Sequence, residues 1–415
     1  MTDTYDAQET RAPEAREAAL MAALPAQIAH ARAATAAFGE ILADVEPEAV
    51  ASRAALAALP VTRKHELLAR QQAGRAANPF GGFSALAFGP AMPRVFASPG
   101  ALYEPEGRRA DPWRMARALH AAGFRPGDLA HNSFSYHFVP AGAMMESGAQ
   151  AVGCTVFAAG TGQTEQQVQA MADLRPAGYI GTPSFLRILL EKAAEMGVAL
   201  PHLAKALVSG EALPPSLRDW LAGRGVAAFQ CYATADLGLI AYETAAREGL
   251  VLAEDVIVEI VRPGTGDPVP EGEVGEVVVT TLSLGYPLVR FGTGDLSAVL
   301  PGPCPTGRTN TRIRGWLGRA DQTTKVRGMF VHPGQVAEVA RRFPQVVRAR
   351  LVVSGEMASD TLVLRVETAE TAGGLADRIA AAVREVTRLR ADVEMLRPGS
   401  LPNDGRVIED ARSYR

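Results

Sequence analysis

The sequence contains few cysteines and few lysines. Three cysteines, Cys154, Cys231 and Cys304, are spread over 415 residues, which argues against a disulfide framework and against a Cys-x-x-Cys zinc site. Only four of the 42 basic residues are lysines, and the 45 acidic residues leave a formal net charge of −3. This balance argues against a general nucleic-acid binder and leaves the recognition of a small anion open.

Long apolar runs are also missing. No uninterrupted apolar segment reaches the roughly 18 to 20 residues that a membrane span needs. The first residues include Asp3, Asp6 and Glu9 and have no apolar stretch behind a basic start, so a secretory signal is not expected. With 47% hydrophobic and 21% charged residues, the composition is that of a globular protein. We therefore expect a cytoplasmic protein of two to three domains, at roughly 100 to 200 residues each, with no membrane partner.

Several catalytic signatures are absent from the sequence. No glycine precedes a lysine, so there is no Walker-type phosphate loop, and neither a Gly-x-Ser-x-Gly elbow nor a His-Glu-x-x-His helix occurs. The seven histidines do not have the spacing of metal ligands. Hydrolase and metalloprotease functions are disfavoured as a result.

Helical and apolar segments alternate along the middle of the chain. Residues 14–68 are rich in Ala, Leu, Glu and Arg and predict two or three helices with breaks at Pro25, Pro47 and Pro60. Beyond them the pattern predicts helices near 112–122, 164–173 and 183–196, and strands near 152–158, 178–180, 206–208 and 226–230. Such alternation is typical of an α/β sheet with parallel strands.

The last third of the chain has a different pattern. The β-branched runs 256–261 and 276–281 predict a hairpin, and 287–291 predicts a further strand. After Gly318 the pattern predicts helices near 333–342 and 374–390 and strands near 346–353, 360–367 and 392–396. The fold class that we predict is therefore α/β, with a large multi-layer N-terminal domain at 1–320 that has a helical entry segment at 1–75 and a β-rich part. A small α+β domain follows at 321–415.

Four polar, glycine-rich segments come next to or after apolar runs. They are Ser209-Gly210-Glu211, Cys231 to Gly238, Pro287 to Asp295, and Gly318 to Gly328. In open α/β sheets, ligands bind beyond the carboxyl ends of the strands. We expect the first three segments to lie near one another at such an edge.

In this order and spacing, the four segments resemble the adenylate-forming ligase superfamily, and within it the phenylacetate–coenzyme A ligase family. The similarity extends from about Leu59 to the C-terminus, with supporting stretches at 123–128, 131–136, 181–184, 301–304 and 398–402. It implies an AMP-binding and acid-binding domain at 1–320 and a mobile C-terminal domain.

The resemblance implies an enzyme that joins a carboxylic acid to coenzyme A. ATP and the acid first form an acyl-adenylate and pyrophosphate, and the thiol of coenzyme A then displaces AMP. The expected cofactors are ATP, Mg²⁺ and coenzyme A as cosubstrate, without structural zinc. The expected substrate is phenylacetate or a related aromatic acid, and a homodimer is compatible with the family.

The resemblance also assigns roles to individual residues. Thr234 matches the residue that hydrogen-bonds the AMP phosphate, and Asp236 stands where the family more usually has Glu, as a ligand of Mg²⁺ or of the phosphate region. Asp295 matches the ribose-binding Asp, Arg319 the Arg near ribose and phosphate, and Asp321 the hinge of the C-terminal domain.

Further residues are assigned to nucleotide, coenzyme A and acid. The segment beside the adenine is matched by Ser209, Gly210 and Glu211, and the nucleotide motif includes Tyr232 and Ala233 directly before Thr234. The coenzyme A phosphates are suited by Lys325 and Arg327. The wall of the acyl pocket is suited by Phe134 and Tyr136. Other interpretations remain open. The aromatic residues suit a core, Arg319 and Asp321 suit a surface ion pair, and Lys325 and Arg327 suit a solvated strand.

Two segments depart from the family pattern. Where the family has a hydroxyl-rich phosphate loop with a lysine, residues 96–107 keep only Ser98 and add Glu104 and Glu106, which either face solvent or bind Mg²⁺. The tail has no lysine, so Arg406 is the candidate for the catalytic position that a lysine normally holds. Two alternatives follow: an AMP-binding sensor or partner subunit, or an adenylating enzyme with an amine or carrier-thiol acceptor.

Overall fold

The structure is a computed structural model that describes residues 3–98, 102–322, 324–326, 329–355, 360–369, 373–402 and 406–412. For residues 321, 325, 329 and 330 this description covers the backbone. Contacts within the chain divide it into two compact units. The first unit comprises Met1–Thr293 and Ala298–Trp316, and the second comprises Gly294–Ser297 and Leu317–Arg415.

The α-helices lie in both units. They are α1 (Pro13–Ala34), α2 (Ala36–Ile41), α3 (Arg53–Ala57), α4 (Lys64–Gly74), α5 (Ala116–Ala121), α6 (Ala141–Val152), α7 (Thr164–Leu174), α8 (Pro183–Glu195), α9 (Pro215–Ala222), α10 (Pro333–Arg341) and α11 (Leu375–Thr387). Short 3-10 helices lie at Ala7–Thr10, Pro47–Ala49 and Ala320–Gln322. Among the described residues, no helix combines the length and the apolarity that crossing a membrane requires.

The strands form separate sheets. They are β1 (Thr62–Arg63), β2 (Val95–Ser98), β3 (Leu102–Pro105), β4 (Leu129–Asn132), β5 (Thr155–Ala158), β6 (Gly178–Gly181), β7 (Lys205–Val208), β8 (Ala227–Thr234), β9 (Gly238–Glu243), β10 (Leu250–Leu252), β11 (Val256–Val261), β12 (Gly275–Thr281), β13 (Phe291–Ser297), β14 (Val299–Leu300), β15 (Arg312–Ile313), β16 (Thr324–Val326), β17 (Met329–Val331), β18 (Val346–Ser354), β19 (Thr361–Thr368), β20 (Asp392–Leu396) and β21 (Ile408–Asp410).

The largest sheet of the first unit has the order β14-β15-β10-β9-β8-β7-β6-β4-β5. Its strands β5, β4, β6, β7 and β8 run parallel, and the pairs from β8 through β14 are antiparallel. Apolar side chains such as Ile180, Leu207 and Leu189 are fully buried between the sheet and its covering helices. This arrangement confirms the predicted α/β sheet with parallel strands, whose carboxyl ends share one edge.

A second sheet has the order β1-β13-β12-β11. Strands β11 and β12 pair antiparallel from Val256 opposite Thr281 to Val261 opposite Glu276, which confirms the predicted hairpin. The strand predicted at 287–291 is wrong, because strand β13 begins only at Phe291. The physical reason lies at Arg290, whose φ of +43° interrupts the extended backbone.

Two helices also differ from the sequence prediction. Pro25 lies inside α1 instead of breaking it, and Leu20, Leu24 and Ile28 on both sides of it are buried, so packing outweighs the proline penalty of about 3 kcal/mol. Helix α6 was not predicted, because its two glycines lower the helix propensity. A Cβ at Gly148 would approach the Cβ of Met115 to 2.4 Å, so the close packing of α6 requires glycine at this position.

The second unit has its own sheet and core. The sheet order is β20-β19-β18-β21, and α10 and α11 pack on it. Val353, Leu364 and Ile379 lie in a core that these elements share. The unit is therefore the predicted small α+β fold, and the mobility that the resemblance implies for it stays a prediction.

Candidate functional site

The turn between β8 and β9 presents Thr234 and Asp236, which the sequence resemblance assigns to the AMP phosphate and to Mg²⁺. Thr234 ends β8, and its hydroxyl oxygen accepts a hydrogen bond from the Leu237 amide at 3.2 Å. Gly238 follows with a φ of +74°, and a Cβ there would lie 2.8 Å from the Trp113 carbonyl oxygen. The close approach of this backbone to Trp113 therefore requires glycine at position 238. Gly238 lies directly after the turn that carries Asp236.

Asp236 is buried and paired with a lysine. The Nζ of Lys64, the first residue of α4, lies 2.9 Å from Asp236 Oδ2. The Asp236 side chain is only 2% exposed, whereas that of Lys64 is 43% exposed. A lysine thus reaches the site from the helical entry segment, where the sequence motifs had not placed a functional residue.

The strand pair β2–β3 belongs to the segment that the sequence resemblance assigns to the phosphate loop, and it carries a second buried carboxyl group. Glu104 on β3 accepts a hydrogen bond from the Ser98 hydroxyl at 3.0 Å, and its side chain lies within hydrogen-bonding reach of Asp236. Burial raises the pKa of Glu104 well above its usual range, and the neighbouring Asp236 charge raises it further. Ser98, which we predicted to contact phosphate, therefore donates to Glu104 in this structure.

Glu106, two residues further along, is also buried. Arg94 Nη2 donates to its Oε1 at 2.9 Å. Neither Glu104 nor Glu106 faces solvent, so that alternative from the sequence is wrong. Packing against the rest of the first unit buries both groups, and only Glu106 has an arginine partner among the hydrogen bonds of the described residues.

Three buried oxygen atoms in this region have no hydrogen-bond partner among the residues that the structure describes. They are Glu104 Oε2, Asp236 Oδ1 and the Tyr286 hydroxyl. Burial raises the pKa of Tyr286, and the charges of Asp236 and Glu104 add to that effect. All three residues line a cavity of about 440 Å³, which we call the Glu104 cavity.

A smaller and more apolar cavity adjoins the first. Its volume is about 110 Å³, and its lining includes Phe134, Met144, Met145, Ser209 and Thr234. Pro140 and Ala235 line both this cavity, which we call the Phe134 cavity, and the Glu104 cavity. An apolar space therefore lies directly beside the Thr234–Asp236 turn.

The segment predicted to lie beside the adenine is at the same sheet edge. Ser209 follows β7, and its hydroxyl donates to the Cys231 carbonyl oxygen at 2.9 Å. Gly210 has a φ of +79° and lines the Phe134 cavity, whereas Glu211 is exposed and accepts from the Ser184 amide at 3.4 Å. Ser209 and Gly210 therefore lie near the Thr234 turn, as the common strand edge predicts, whereas Glu211 contacts the start of α8.

The two aromatic residues predicted for the acyl pocket differ in their surroundings. Phe134 is buried and lines the Phe134 cavity. The Tyr136 hydroxyl instead accepts a hydrogen bond from Asn132 Nδ2 at 2.8 Å, and burial raises the pKa of Tyr136. Phe134 is consequently the better candidate for direct contact with an acyl group.

In the second unit, Asp295 and Arg319 form an ion pair. Arg319 Nη1 lies 3.0 Å from Asp295 Oδ1, and the two residues form an isolated β-bridge. Gly294 has a φ of +72°, and a Cβ there would lie 2.6 Å from Arg319 Nη2. Arg319 therefore pairs with Asp295, and Gly294 makes room for the guanidinium group of Arg319.

The other assigned residues of the second unit are only partly described. The backbone of Asp321 lies in the 3-10 helix Ala320–Gln322 and that of Lys325 in β16, whereas Arg327 lies outside the described residues. Arg406 is exposed, and its carbonyl oxygen accepts from Arg350 Nε at 3.1 Å. The roles of these residues stay predictions.

Comparisons with known proteins identify relatives of this chain. A family model described as AMP-binding enzyme matches residues 113–286, which include the Thr234 turn and the lining of the Phe134 cavity. The phenylacetate–coenzyme A ligase of Thermus thermophilus is 33% identical over 69% of this chain and 71% of its own length. The enzyme of the same name from Aromatoleum evansii is 32% identical over 78% of this chain and 74% of its own length.

Solved structures of a coenzyme A ligase have the same fold. An open conformation of 2-hydroxyisobutyryl-CoA ligase in complex with 2-HIB-AMP and CoA matches with a TM-score of 0.86 and 24% identity, covering 97% of this chain and 93% of that one. The same ligase in the postadenylation state matches with a TM-score of 0.77 and 25% identity, covering 97% and 91%. Together with the relatives above, these matches show that the chain belongs to the phenylacetate–coenzyme A ligase family of the adenylate-forming superfamily.

Proposed function

We propose that this protein is an ATP-dependent carboxylate–coenzyme A ligase that acts on phenylacetate or a related aromatic acid. The observation that carries the proposal is the apolar Phe134 cavity beside Thr234, at the edge of the AMP-binding sheet. An acyl group in this cavity would hold its carboxylate near the Thr234 turn, where the family binds the AMP phosphate.

The size of the Phe134 cavity limits the acid. Its volume of about 110 Å³ is somewhat smaller than the roughly 150 Å³ of an engineered cavity that holds benzene. Phe134, Met144 and Met145 supply apolar and adaptable walls, which suit a single ring better than a polar chain. A one-ring acid such as phenylacetate therefore fits better than an extended acid, and a short branched acid is the natural comparison.

The reaction needs two bond exchanges. A carboxylate oxygen attacks the α-phosphorus of ATP as the bond to pyrophosphate breaks, and the thiol of coenzyme A then forms the thioester as AMP leaves. Thr234 keeps its hydroxyl proton available for a phosphate oxygen, because the hydroxyl acts as acceptor toward the Leu237 amide. Asp295 would accept hydrogen bonds from the ribose hydroxyls, with Arg319 orienting its carboxylate.

Two further groups complete the proposal. A Mg²⁺ ion would supply positive charge that neutralises the triphosphate, and Asp236, with a buried free oxygen, is a suitable ligand for this hard cation. Arg406 would take the place of the catalytic lysine. Loss of a well-placed electrostatic stabiliser typically costs about 100- to 1000-fold in rate, so we expect adenylation to be slow.

A second function is favoured by one observation. The carboxyl group of Glu104, in the segment that the sequence resemblance assigns to the phosphate loop, is buried. Without a cation it would repel the β- and γ-phosphates, and the protein would then bind AMP as a sensor or partner subunit.

Calorimetric titrations with AMP and with ATP and Mg²⁺, followed by a pyrophosphate-release assay with phenylacetate, separate the two functions. A ligase binds ATP and releases pyrophosphate. A sensor binds AMP alone and releases none.

A further inference from the structure

We propose that Glu104 and Asp236 together bind a divalent cation, and that this site is present before any nucleotide binds. The inference rests on the proposed function only in identifying the cation as the one that accompanies ATP. The residue that it adds to the site is Glu104, from the strand pair that the sequence resemblance assigns to the phosphate loop.

The first argument concerns the partners of the four carboxyl oxygens of Glu104 and Asp236. Glu104 Oε1 accepts from Ser98, and Asp236 Oδ2 is paired with Lys64 Nζ. The remaining oxygens, Glu104 Oε2 and Asp236 Oδ1, are buried and have no donor among the described residues. Each carboxyl group therefore has one oxygen held in place and one oxygen left for another ligand.

The second argument is charge. The side chains of Glu104 and Asp236 are within hydrogen-bonding reach, although both are acceptors when ionised. When both are ionised, the two buried carboxylates repel each other, and the single charge of Lys64 leaves a formal charge of −1 on the three groups. A divalent cation between the free oxygens would remove this repulsion.

Tyr286 provides the independent observation that points to a ligand. Its hydroxyl is buried without a partner in the described part of the chain, and it lies close enough to Asp236 and Glu104 for both charges to act on it. All three side chains line the Glu104 cavity, whose volume of about 440 Å³ has room for several waters or a phosphate group. Mg²⁺ is typically held by one or two carboxylates, with waters and phosphate oxygens completing six-fold coordination.

This arrangement explains how the altered loop can serve ATP. In the family pattern, hydroxyl and lysine groups hold the β- and γ-phosphates directly. Here a resident cation would present the positive charge instead, and Glu104 would be the residue that retains the cation in the absence of phosphate. Glu104 would act as a positioning residue, since it would reach the phosphates only through the cation.

The test measures binding of Mn²⁺, as a probe for the cation, to the full-length protein without ATP, acid or coenzyme A. Electron paramagnetic resonance reports free Mn²⁺ during titration of the wild type, Glu104→Gln and Glu106→Gln. Glu104→Gln keeps the shape of the side chain and can still accept from Ser98. Glu106→Gln is the matched control, because it removes a buried carboxylate two residues away that already has Arg94 as its partner.

We expect one saturable Mn²⁺ site in the wild type and in Glu106→Gln, with an affinity lower by about 10-fold or more in Glu104→Gln. Circular dichroism of each variant checks that it is folded, and Tyr286→Phe is a second variant that tests the third oxygen.

Equal affinities of the wild type and Glu104→Gln, or an equal loss in Glu106→Gln, would overturn the proposal. The absence of a saturable site in the wild type would also overturn the proposal, and it would indicate that the two carboxyl groups share a proton instead of a cation. The titration contains no substrates, so its outcome does not depend on whether thioester forms. Failure of the cation proposal can therefore be distinguished from failure of the proposed function.

Discussion

Replacement of Arg290 by methionine should destabilise the first unit strongly. Arg290 is 1% exposed and its partner Glu259 is 7% exposed. The guanidinium group donates to both Glu259 oxygens at 3.0 Å, and to the carbonyl oxygens of Ala57, Leu59 and Gly266 at 2.7, 2.5 and 2.7 Å. One side chain thus connects the start of β13 with the helical entry segment and with the loop before β12.

The magnitude follows from what the substitution leaves behind. Methionine fills much of the volume but leaves Glu259 buried without its cation and three carbonyl oxygens without a donor. Removal of one partner from a buried ion pair typically costs about 3 to 5 kcal/mol. Burial already raises the pKa of Glu259, and loss of Arg290 would raise it further. A carboxyl group whose pKa is higher in the folded than in the unfolded state lowers the free energy of unfolding as pH rises. The destabilisation caused by Arg290→Met should therefore be larger at pH 8 than at pH 5.

Urea unfolding followed by circular dichroism at both pH values measures this effect. Arg70→Met is the matched control, because the Arg70–Glu40 pair at 2.8 Å is exposed and such pairs contribute about 1 kcal/mol or less. The double variant Arg290→Met with Glu259→Leu should recover part of the loss, because no charge stays buried. A loss below about 1 kcal/mol for Arg290→Met, or no dependence on pH, would refute the reasoning.

Three further predictions concern the acid, the catalytic arginine and the second unit. Phe134→Ala should lower kcat/KM for phenylacetate about 10-fold or more and improve relative activity on larger acids, measured by thioester formation across a series of acids. Arg406→Lys should release pyrophosphate about 10-fold faster or more if Arg406 occupies the lysine position, and an unchanged rate would contradict that role. Burial lowers the pKa of His332 to about 4, so its contribution to stability is present above pH 6.5 and is lost as pH falls toward 4. His332→Gln should therefore reduce the acid destabilisation of the second unit by about 2 to 3 kcal/mol in urea titrations at pH 7 and pH 4, and an unchanged pH dependence would contradict this.

The sequence predicts the regular elements well where periodicity and flanking residues agree. Helix α8 has a threonine N-cap and proline at its first position, and the observed bounds differ from the prediction by one residue. The β-branched run at 256–261 coincides with β11. The errors arise where tertiary packing overrides local preference: α1 continues through Pro25, glycine-containing α6 packs against Met115, and Arg290 has a left-handed backbone.

The sequence also predicts that Ser209 and Thr234 meet at one strand edge, because both lie at the carboxyl ends of neighbouring strands. It does not predict Lys64, Glu104 and Tyr286 around Asp236, since these contacts join distant segments without a common motif. Lys64 is separated from Asp236 by 172 positions in the chain. The scarcity of lysine was a signal for Lys64, and the unusual acidic residues in the phosphate-loop position were a signal for Glu104.

The central claim is that this chain forms a thioester through an adenylate. Its most direct test incubates the purified protein with ATP, Mg²⁺, coenzyme A and a panel of aromatic and short aliphatic acids, and measures AMP and acyl-CoA by chromatography and mass spectrometry. The account predicts AMP and thioester in equal amounts, with aromatic one-ring acids preferred and no thioester without coenzyme A. Formation of neither AMP nor thioester with any acid would contradict it.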